Sequence, residues 1–323
     1  MEPLMPSLVQ KLGNAVKEVA RNKGSSWWYT PHVAAASHAI ADRIPLVDFV
    51  LEVRDARIPL SSKYKLLKKC SSSARRIIVL NKTDLANRSK VKEWMHYFEE
   101  QGNVAFGVNS HNKDNIKEFL NFLQARVREL INSGQSGRTI TLMLVGIPNV
   151  GKSALANSLH QVGRISAAEK GKLKHATVSP QPGETKNISS LKIASHPNIY
   201  VLDTPGILPP DIPDAELCCK LALTGAMIAI QDCLVGEIEL AQYFLAILNR
   251  SDEYKKWAKL CAIEKDMVAA NDGFDLEKTQ KSHHLTDHTQ VYYQFYSRAA
   301  PLNTTEKATF DRSHTGILFF VIV

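Results

Sequence analysis

The order of two short motifs constrains this chain more than any other feature. Asn81-Lys82-Thr83-Asp84 comes well before Gly146-Ile147-Pro148-Asn149-Val150-Gly151-Lys152-Ser153. The second run fits G-x-x-x-x-G-K-[ST], a loop that wraps nucleotide phosphates between a strand and a helix. The first is the sequence expected of a loop that reads guanine. A nucleotide-binding sheet of this kind normally delivers its phosphate loop first and its base reader later. The reversed order predicts a circularly permuted sheet.

Six apolar runs read as strands of a buried parallel sheet: residues 46–53, 76–80, 104–108, 140–145, 188–193 and 199–202. Between them lie helical patterns. The clearest is Ile116, Phe119, Leu120, Leu123, Val127, Leu130 and Ile131, whose period is near 3.6. Strands alternating with helices predict a doubly wound α/β fold that binds ligands at the carboxyl ends of its strands. The turn-rich residues 132–137 read as the connector between a guanine-reading half and a phosphate-reading half. After Pro213 the pattern turns helical over 215–230 and 237–249. The organisation expected is an extension over 1–26, a nucleotide domain over 27–210, a small C-terminal helical domain over 211–275 and a tail over 276–323. The His-rich run Lys281 to His288 reads as a solvated loop rather than a metal site.

Bulk properties fit that organisation. The chain has 323 residues, 44% hydrophobic and 22% charged, enough to bury a sizeable core. Its formal charge of +8 tilts toward a polyanionic partner. The five cysteines show neither C-x-x-C spacing nor paired histidines, so they read as reduced thiols rather than a zinc site. No apolar stretch reaches the ~18 residues a membrane span needs, which leaves peripheral membrane contact open. Residues 1–24 carry a basic, amphipathic pattern with two acids and a single Arg, a weak targeting signal by composition.

Each motif has a chemical reading. Backbone N–H groups of Asn149, Val150, Gly151, Lys152, Ser153 and Ala154 would cradle phosphates, with the following helix presenting its positive end. Lys152 would reach the β- and γ-phosphates and the Ser153 hydroxyl would ligate Mg2+. Asp203-Thr204-Pro205-Gly206 follows a strand, where a carboxylate holds Mg2+ and the Gly206 N–H meets the γ-phosphate. Asp84 can accept from guanine N1–H and the exocyclic amine, Asn81 can pair the other edge, and the Lys82 stem can cover the ring. Ser110 follows the strand 104–108 and is a candidate for guanine O6. Thr185 is a candidate to close over Mg2+, with a plain loop threonine as the alternative. Lys63 to Lys69 and Arg164 to His175 are candidate phosphate contacts; for the first, a solvated basic face is the alternative.

Together these residues resemble the circularly permuted GTPases of ribosome biogenesis, the group of bacterial ribosome-biogenesis GTPase A, and within it the mitochondrial branch. The likeness runs from about Trp27 to Asn249 and includes Asp55-Ala56-Arg57, the group's Asp-Ala-Arg motif. It implies hydrolysis of GTP to GDP, coupled to late assembly of a large ribosomal subunit through rRNA and protein contacts. It implies a mitochondrial matrix location, with cytoplasm or chloroplast as alternative addresses. The family's Trp-aromatic-Pro-Gly-His-Met segment stands here as Trp28-Tyr29-Thr30-Pro31-His32-Val33, which makes His32 the implied catalytic histidine. Ile207 stands where conventional GTPases place a water-orienting Gln, implying slow intrinsic turnover. Asn149 resembles the asparagine of potassium-activated relatives, which implies K+ beside Mg2+. The competing reading is a GTP-gated binding protein whose partner is not rRNA and whose hydrolysis is incidental.

Overall fold

In a computed structural model, residues 29–69, 75–134, 139–167, 188–210 and 215–227 are described, with Ile212, Leu240, Tyr243, Phe244 and Ile247. The chain divides into two units. The first comprises Met1–Gln242 with Ile322–Val323, and the second Tyr243–Val321. Thr185, most of the basic stretch 164–175, and the whole of 1–26 and 276–323 lie outside the described residues.

The first unit is built on a six-stranded sheet of β1 (Phe49–Asp55), β2 (Arg76–Asn81), β3 (Val104–Val108), β4 (Thr139–Val145), β5 (Ser189–Ser195) and β6 (Asn198–Asp203). Their spatial order is β3-β2-β1-β4-β6-β5. The chain therefore builds outward from β1 in one direction and from β4 in the other. The crevice between β1 and β4 is the switch point where such sheets bind ligands.

One expectation needs correction. β5 is not a parallel strand; it pairs with β6 antiparallel, through a turn at His196 and Pro197. Parallel neighbours need a crossover of a dozen or more residues, and this connection is far shorter. The other four pairings are parallel.

Helices cover both faces. Helix α1 (Pro31–Arg43) starts on Thr30, whose side chain accepts from the Val33 N–H, with Pro31 at its first turn. Its Ile40 packs with Val50, Met143 and Val145, all on one face of the sheet. Helix α2 (Arg88–Glu100), capped by Asn87, covers Ile78 and Leu80 on that same face through Val91 and Phe98. Helix α3 (Lys113–Asn132) lies on the opposite face, where Phe119 and Phe122 each sit 5.0 Å from the Phe106 ring. Helix α4 (Lys152–Ala167) follows the phosphate loop and packs on α3 and β5. Helix α5 (Ala215–Leu223) ends earlier than its apolar pattern suggests. The chain turns at Gly225, whose φ of 76° is the left-handed conformation that stops helices. Cys218 and Cys219 on α5 are both buried in the core.

Strand β1 is buried along its whole length although it carries Glu52, Arg54 and Asp55. Glu52 Oε1 accepts from Arg54 Nε at 2.9 Å and from the Tyr64 N–H at 2.8 Å, while Oε2 accepts from Arg76 Nε at 2.7 Å. Arg54 also donates to the Pro59 carbonyl at 3.1 Å and lies 4.9 Å from the Phe98 ring centroid. One carboxylate thus ties two cations to the loop that follows β1. Removing it strands Arg54 without its counter-charge, which costs about 3–5 kcal/mol for a buried pair. Glu52→Ala is therefore expected to lower the urea unfolding midpoint by that amount of stability, and an unchanged midpoint would show the network to be idle.

Candidate functional site

The carboxyl ends of β1, β2, β3, β4 and β6 deliver Asp55, Asn81, Ser110, the loop 146–151 and Asp203 to one edge of the sheet. These residues arrive from separate parts of the sequence because parallel strands all point the same way. Gly146 leaves β4 under the Val53 carbonyl, where an added Cβ would come within 2.5 Å of the oxygen. Asn149 and Gly151 adopt positive φ, 56° and 89°. A side chain at Gly151 would also collide with the Asn81 amide. The loop is thereby confined to Gly at that point.

Asn81 joins the two halves of the site. Its Nδ2 donates to the Val150 carbonyl at 2.9 Å, and its Oδ1 accepts from Ser110 Oγ at 2.8 Å. Ser110 is fixed in turn, since its carbonyl accepts from Ser158 Oγ of α4 at 2.7 Å. Lys82, in a left-handed conformation with φ 63°, donates from Nζ to the Asn149 carbonyl at 2.6 Å. The base-reading loop and the phosphate loop, so distant in sequence, are bolted together by two hydrogen bonds. Asp84 is exposed in the short 3-10 turn Thr83–Leu85.

Lys152 is buried, with Nζ donating to the Ile147 carbonyl at 2.8 Å and the Gly146 carbonyl at 3.2 Å. Burial pushes its ammonium down to about 8; Asp203 pulls the other way and Lys82 adds to the depression. The free fold thus disfavours this charge, whereas a bound phosphate requires it. As pH rises above about 8, GDP affinity is expected to fall, because the free protein loses the Lys152 proton that a bound phosphate requires, read by equilibrium titration. The sign for stability is opposite. An unfolded lysine near 10.5 binds its proton more tightly than the folded one, so folding stability rises with pH across the window from about 8 to 10.5.

Ser153 Oγ, on the first turn of α4, donates to Asp203 Oδ2 at 2.6 Å. Asp203 is fully buried at the end of β6, and its Oδ1 has no hydrogen-bond partner. Burial raises its carboxyl above the usual range, against the Ser153 bond and the Lys152 charge. A hydroxyl and a buried oxygen in want of a partner, side by side, are a donor set suited to Mg2+. Among the described residues no cluster of three His, Cys, Asp or Glu side chains forms another metal site.

Gly206 presses against the phosphate loop. A Cβ there would meet Pro148 Cα at 2.5 Å and Lys152 Nζ at 3.0 Å. The next residue, Ile207, donates its N–H to the Gly146 carbonyl at 3.3 Å and buries its side chain in the cluster that holds Ile40 of α1. Tyr29 and Val33 pack against that same cluster. His32, between them in sequence, is exposed on the first turn of α1. The structure therefore brings Asn81, Lys82, Ser110, Lys152, Ser153, Asp203 and Gly206 together, and leaves His32 pointing to solvent on an element that packs against Ile207.

Two contacts were not foreseen from sequence. Asn149 Nδ2 donates to the Gly225 carbonyl at 3.2 Å, and Arg57 Nη2 donates to the Thr224 carbonyl at 3.3 Å. Both end on the turn after α5. Arg57 also clasps Asp55 through Nε at 2.7 Å and Nη2 at 2.6 Å.

A family model described as a 50S ribosome-binding GTPase matches residues 141–267. The chain is 60% identical over 287 residues to "DAR GTPase 2, mitochondrial" of Arabidopsis thaliana, covering 88% of this chain and 75% of that protein. It is 46% identical to "Short integuments 2, mitochondrial" of Arabidopsis thaliana over 71% of this chain, and spans 58% of that protein's length. To "Ribosome biogenesis GTPase A" of Bacillus cereus it is 32% identical, covering 75% of this chain and 78% of the relative.

Proposed function

The chain belongs to the ribosome-biogenesis GTPase A family of circularly permuted P-loop GTPases, and from that premise we propose that it is a GTP-hydrolysing assembly factor for the mitochondrial large ribosomal subunit. The observation that carries the nucleotide part is the bolting of Asn81 and Lys82 onto the Val150 and Asn149 carbonyls. A base reader fixed to a phosphate loop measures the distance from guanine to phosphate. The matched relatives' names supply the ribosomal and mitochondrial parts.

In this reading Asp84 accepts from the guanine edge, the Lys82 stem lies along the ring, and Ser110 stands by O6. Lys152 exchanges its two carbonyl acceptors for phosphate oxygens, adding a desolvated positive charge where negative charge gathers. Ser153 and Asp203 would hold Mg2+, which would supply further positive charge beside the phosphates. Thr185, which lies outside the described residues, would be the further residue to close over that ion. Asn149, whose side-chain Nδ2 is turned toward the Gly225 carbonyl, would offer its side-chain Oδ1 to a potassium ion. Ile207 has its side chain in the core and so cannot orient water. Turnover is slow until another group enters.

His32 is that group. Tyr29 and Val33 pack against the Ile207 cluster, so the first turn of α1, which carries His32, is tied to the residue that follows Gly206. His32→Ala is expected to bind GTP normally and to lose about 100-fold or more of particle-stimulated turnover, the usual range for a proton-transferring or water-positioning side chain. Full stimulated turnover in that variant would remove His32 from the mechanism.

Cosedimentation with mitochondrial large-subunit particles tests the coupling. Binding is expected with a non-hydrolysable GTP analogue and not with GDP. Equal binding in both states would contradict a nucleotide-controlled assembly role, and GTP-dependent binding to some other particle would favour a GTP-gated binder with a different partner.

A further inference from the structure

We propose that Asp55 and Arg57 are positioning residues that hold the guanine-reading Lys82 in place and make guanine binding depend on the docked turn at Thr224 and Gly225. The proposal rests on the guanine-nucleotide reading above and goes beyond it, because it gives a role to two residues to which that reading assigns no nucleotide contact.

Asp55 is buried at the end of β1, beside the switch-point crevice. Its Oδ2 lies 3.2 Å from Lys82 Nζ and accepts from Arg57 Nη2 at 2.6 Å, while Oδ1 accepts from Arg57 Nε at 2.7 Å. The Arg57 backbone N–H adds a third bond to Oδ1 at 3.0 Å. The carboxylate is thus fixed by a fork from one side and presents its remaining charge to Lys82. Burial alone would push Asp55 up, but the Lys82 and Arg57 charges hold it below the usual carboxylate range.

Lys82 needs such a partner. Its ammonium is drawn into a site whose burial disfavours the charge, and Asp55 is the larger of the two carboxylate influences that restore it, ahead of Asp84. With Nζ pinned between Asp55 and the Asn149 carbonyl, the four-carbon stem has little freedom left. An aliphatic stem held in advance is a platform for a flat base, and no rotamer entropy is lost when the base arrives. The Asp-Ala-Arg motif fits this task by its spacing. Asp and Arg two residues apart close onto each other around the turn after β1, and Ala56 between them is fully buried in the cluster with Ile78 and Leu80.

Arg57 carries the arrangement one step further. The same Nη2 that holds Asp55 also donates to the Thr224 carbonyl, and the neighbouring Gly225 carbonyl accepts from Asn149 of the phosphate loop. Gly225, with φ at 76°, forms the left-handed turn whose two carbonyls receive these bonds. Base loop, phosphate loop and the end of α5 are therefore joined by a closed ring of contacts through Lys82, Asp55, Arg57, the turn and Asn149. A base that locks Lys82 strengthens the whole ring, and by reciprocity anything that pulls α5 away weakens guanine binding.

The test is a double-mutant cycle on release of a fluorescent GDP from the full chain. Asp55→Asn keeps the shape and loses the charge, and is expected to speed release about tenfold, within the coupling range for residues in one ion-pair network. In a Lys82→Met background the same change is expected to add less than about twofold. Equal factors in both backgrounds would overturn the proposal, since a residue that merely props up the fold acts regardless of Lys82. Should Asp55→Asn not fold, Arg57→Lys enters the same cycle. Amide hydrogen exchange of wild-type residues 224–227 needs no variant at all; GDP is expected to slow it, and unchanged exchange would also overturn the proposal. If wild-type protein fails to bind GDP, the guanine-nucleotide reading itself is what has failed.

Discussion

Lys152→Ala is expected to weaken binding of GTP and GDP by about a hundred- to ten-thousand-fold, the cost of removing one partner of a desolvated charge contact. The same substitution should leave the nucleotide-free protein as stable as before, or more so. The reason is local. Burial holds the Lys152 ammonium at about 8, so the fold carries this charge at a cost, and its two carbonyl contacts do not repay it in full. A charge kept against the interest of the fold belongs to function. Isothermal titration with GDP and a thermal melt of the free protein, run on the same preparation, check both halves. A variant that melts much earlier and binds normally would reverse the assignment.

Asp84→Asn is the second large effect. The carboxylate matches two donors on guanine, and an amide cannot accept from both. A site built on paired polar contacts rejects the wrong partner by about 10^4 or more, so GTP affinity is expected to collapse by roughly that factor. Xanthine carries a carbonyl where guanine carries its exocyclic amine, and the new amide can donate to it. XTP affinity should therefore rise as GTP affinity falls. Asp84 is exposed, so the variant should unfold within about 0.5 kcal/mol of wild type. A uniform loss for both nucleotides would mean that the Asn81–Asp84 loop does not read the base.

Much of this site was legible because phosphate and guanine chemistry leave local marks. Gly151 and Lys152 had to stand where they do, and β4 and α4 bracket them as the motif demands. All six strands are legible as apolar runs. Their direction is not. An apolar run carries no sign of parallel or antiparallel pairing, yet the few residues between β5 and β6 are too short for a crossover and held the answer. Helix α1 has a local start signal in Thr30 followed by Pro31, but no strong apolar periodicity marks its length.

Long-range polar contacts were the part that sequence could not show. Glu52 and Arg54 sit in a run that reads as plain strand, and nothing in it says that Arg76 and Tyr64 will close over the carboxylate. The same holds for Arg57 and Thr224, far apart in the chain and joined only because β1 and α5 meet at one end of the sheet. The apolar pattern continuing past Leu223 even suggested a longer helix. Gly225 is where that pattern and the fold part company, and its carbonyl is the one that Asn149 holds. The contacts that tie the nucleotide site to its surroundings are thus the least visible in the sequence, since each depends on two segments whose meeting is set by topology.

GTP turnover by the full chain, alone and with mitochondrial large-subunit particles, in potassium buffer, is the most direct measurement. Slow hydrolysis alone and an acceleration of about a hundredfold or more with the particles is the expected result, because Ile207 cannot orient water and an outside group must complete the site. The same slow rate with and without particles would contradict a GTPase coupled to large-subunit assembly.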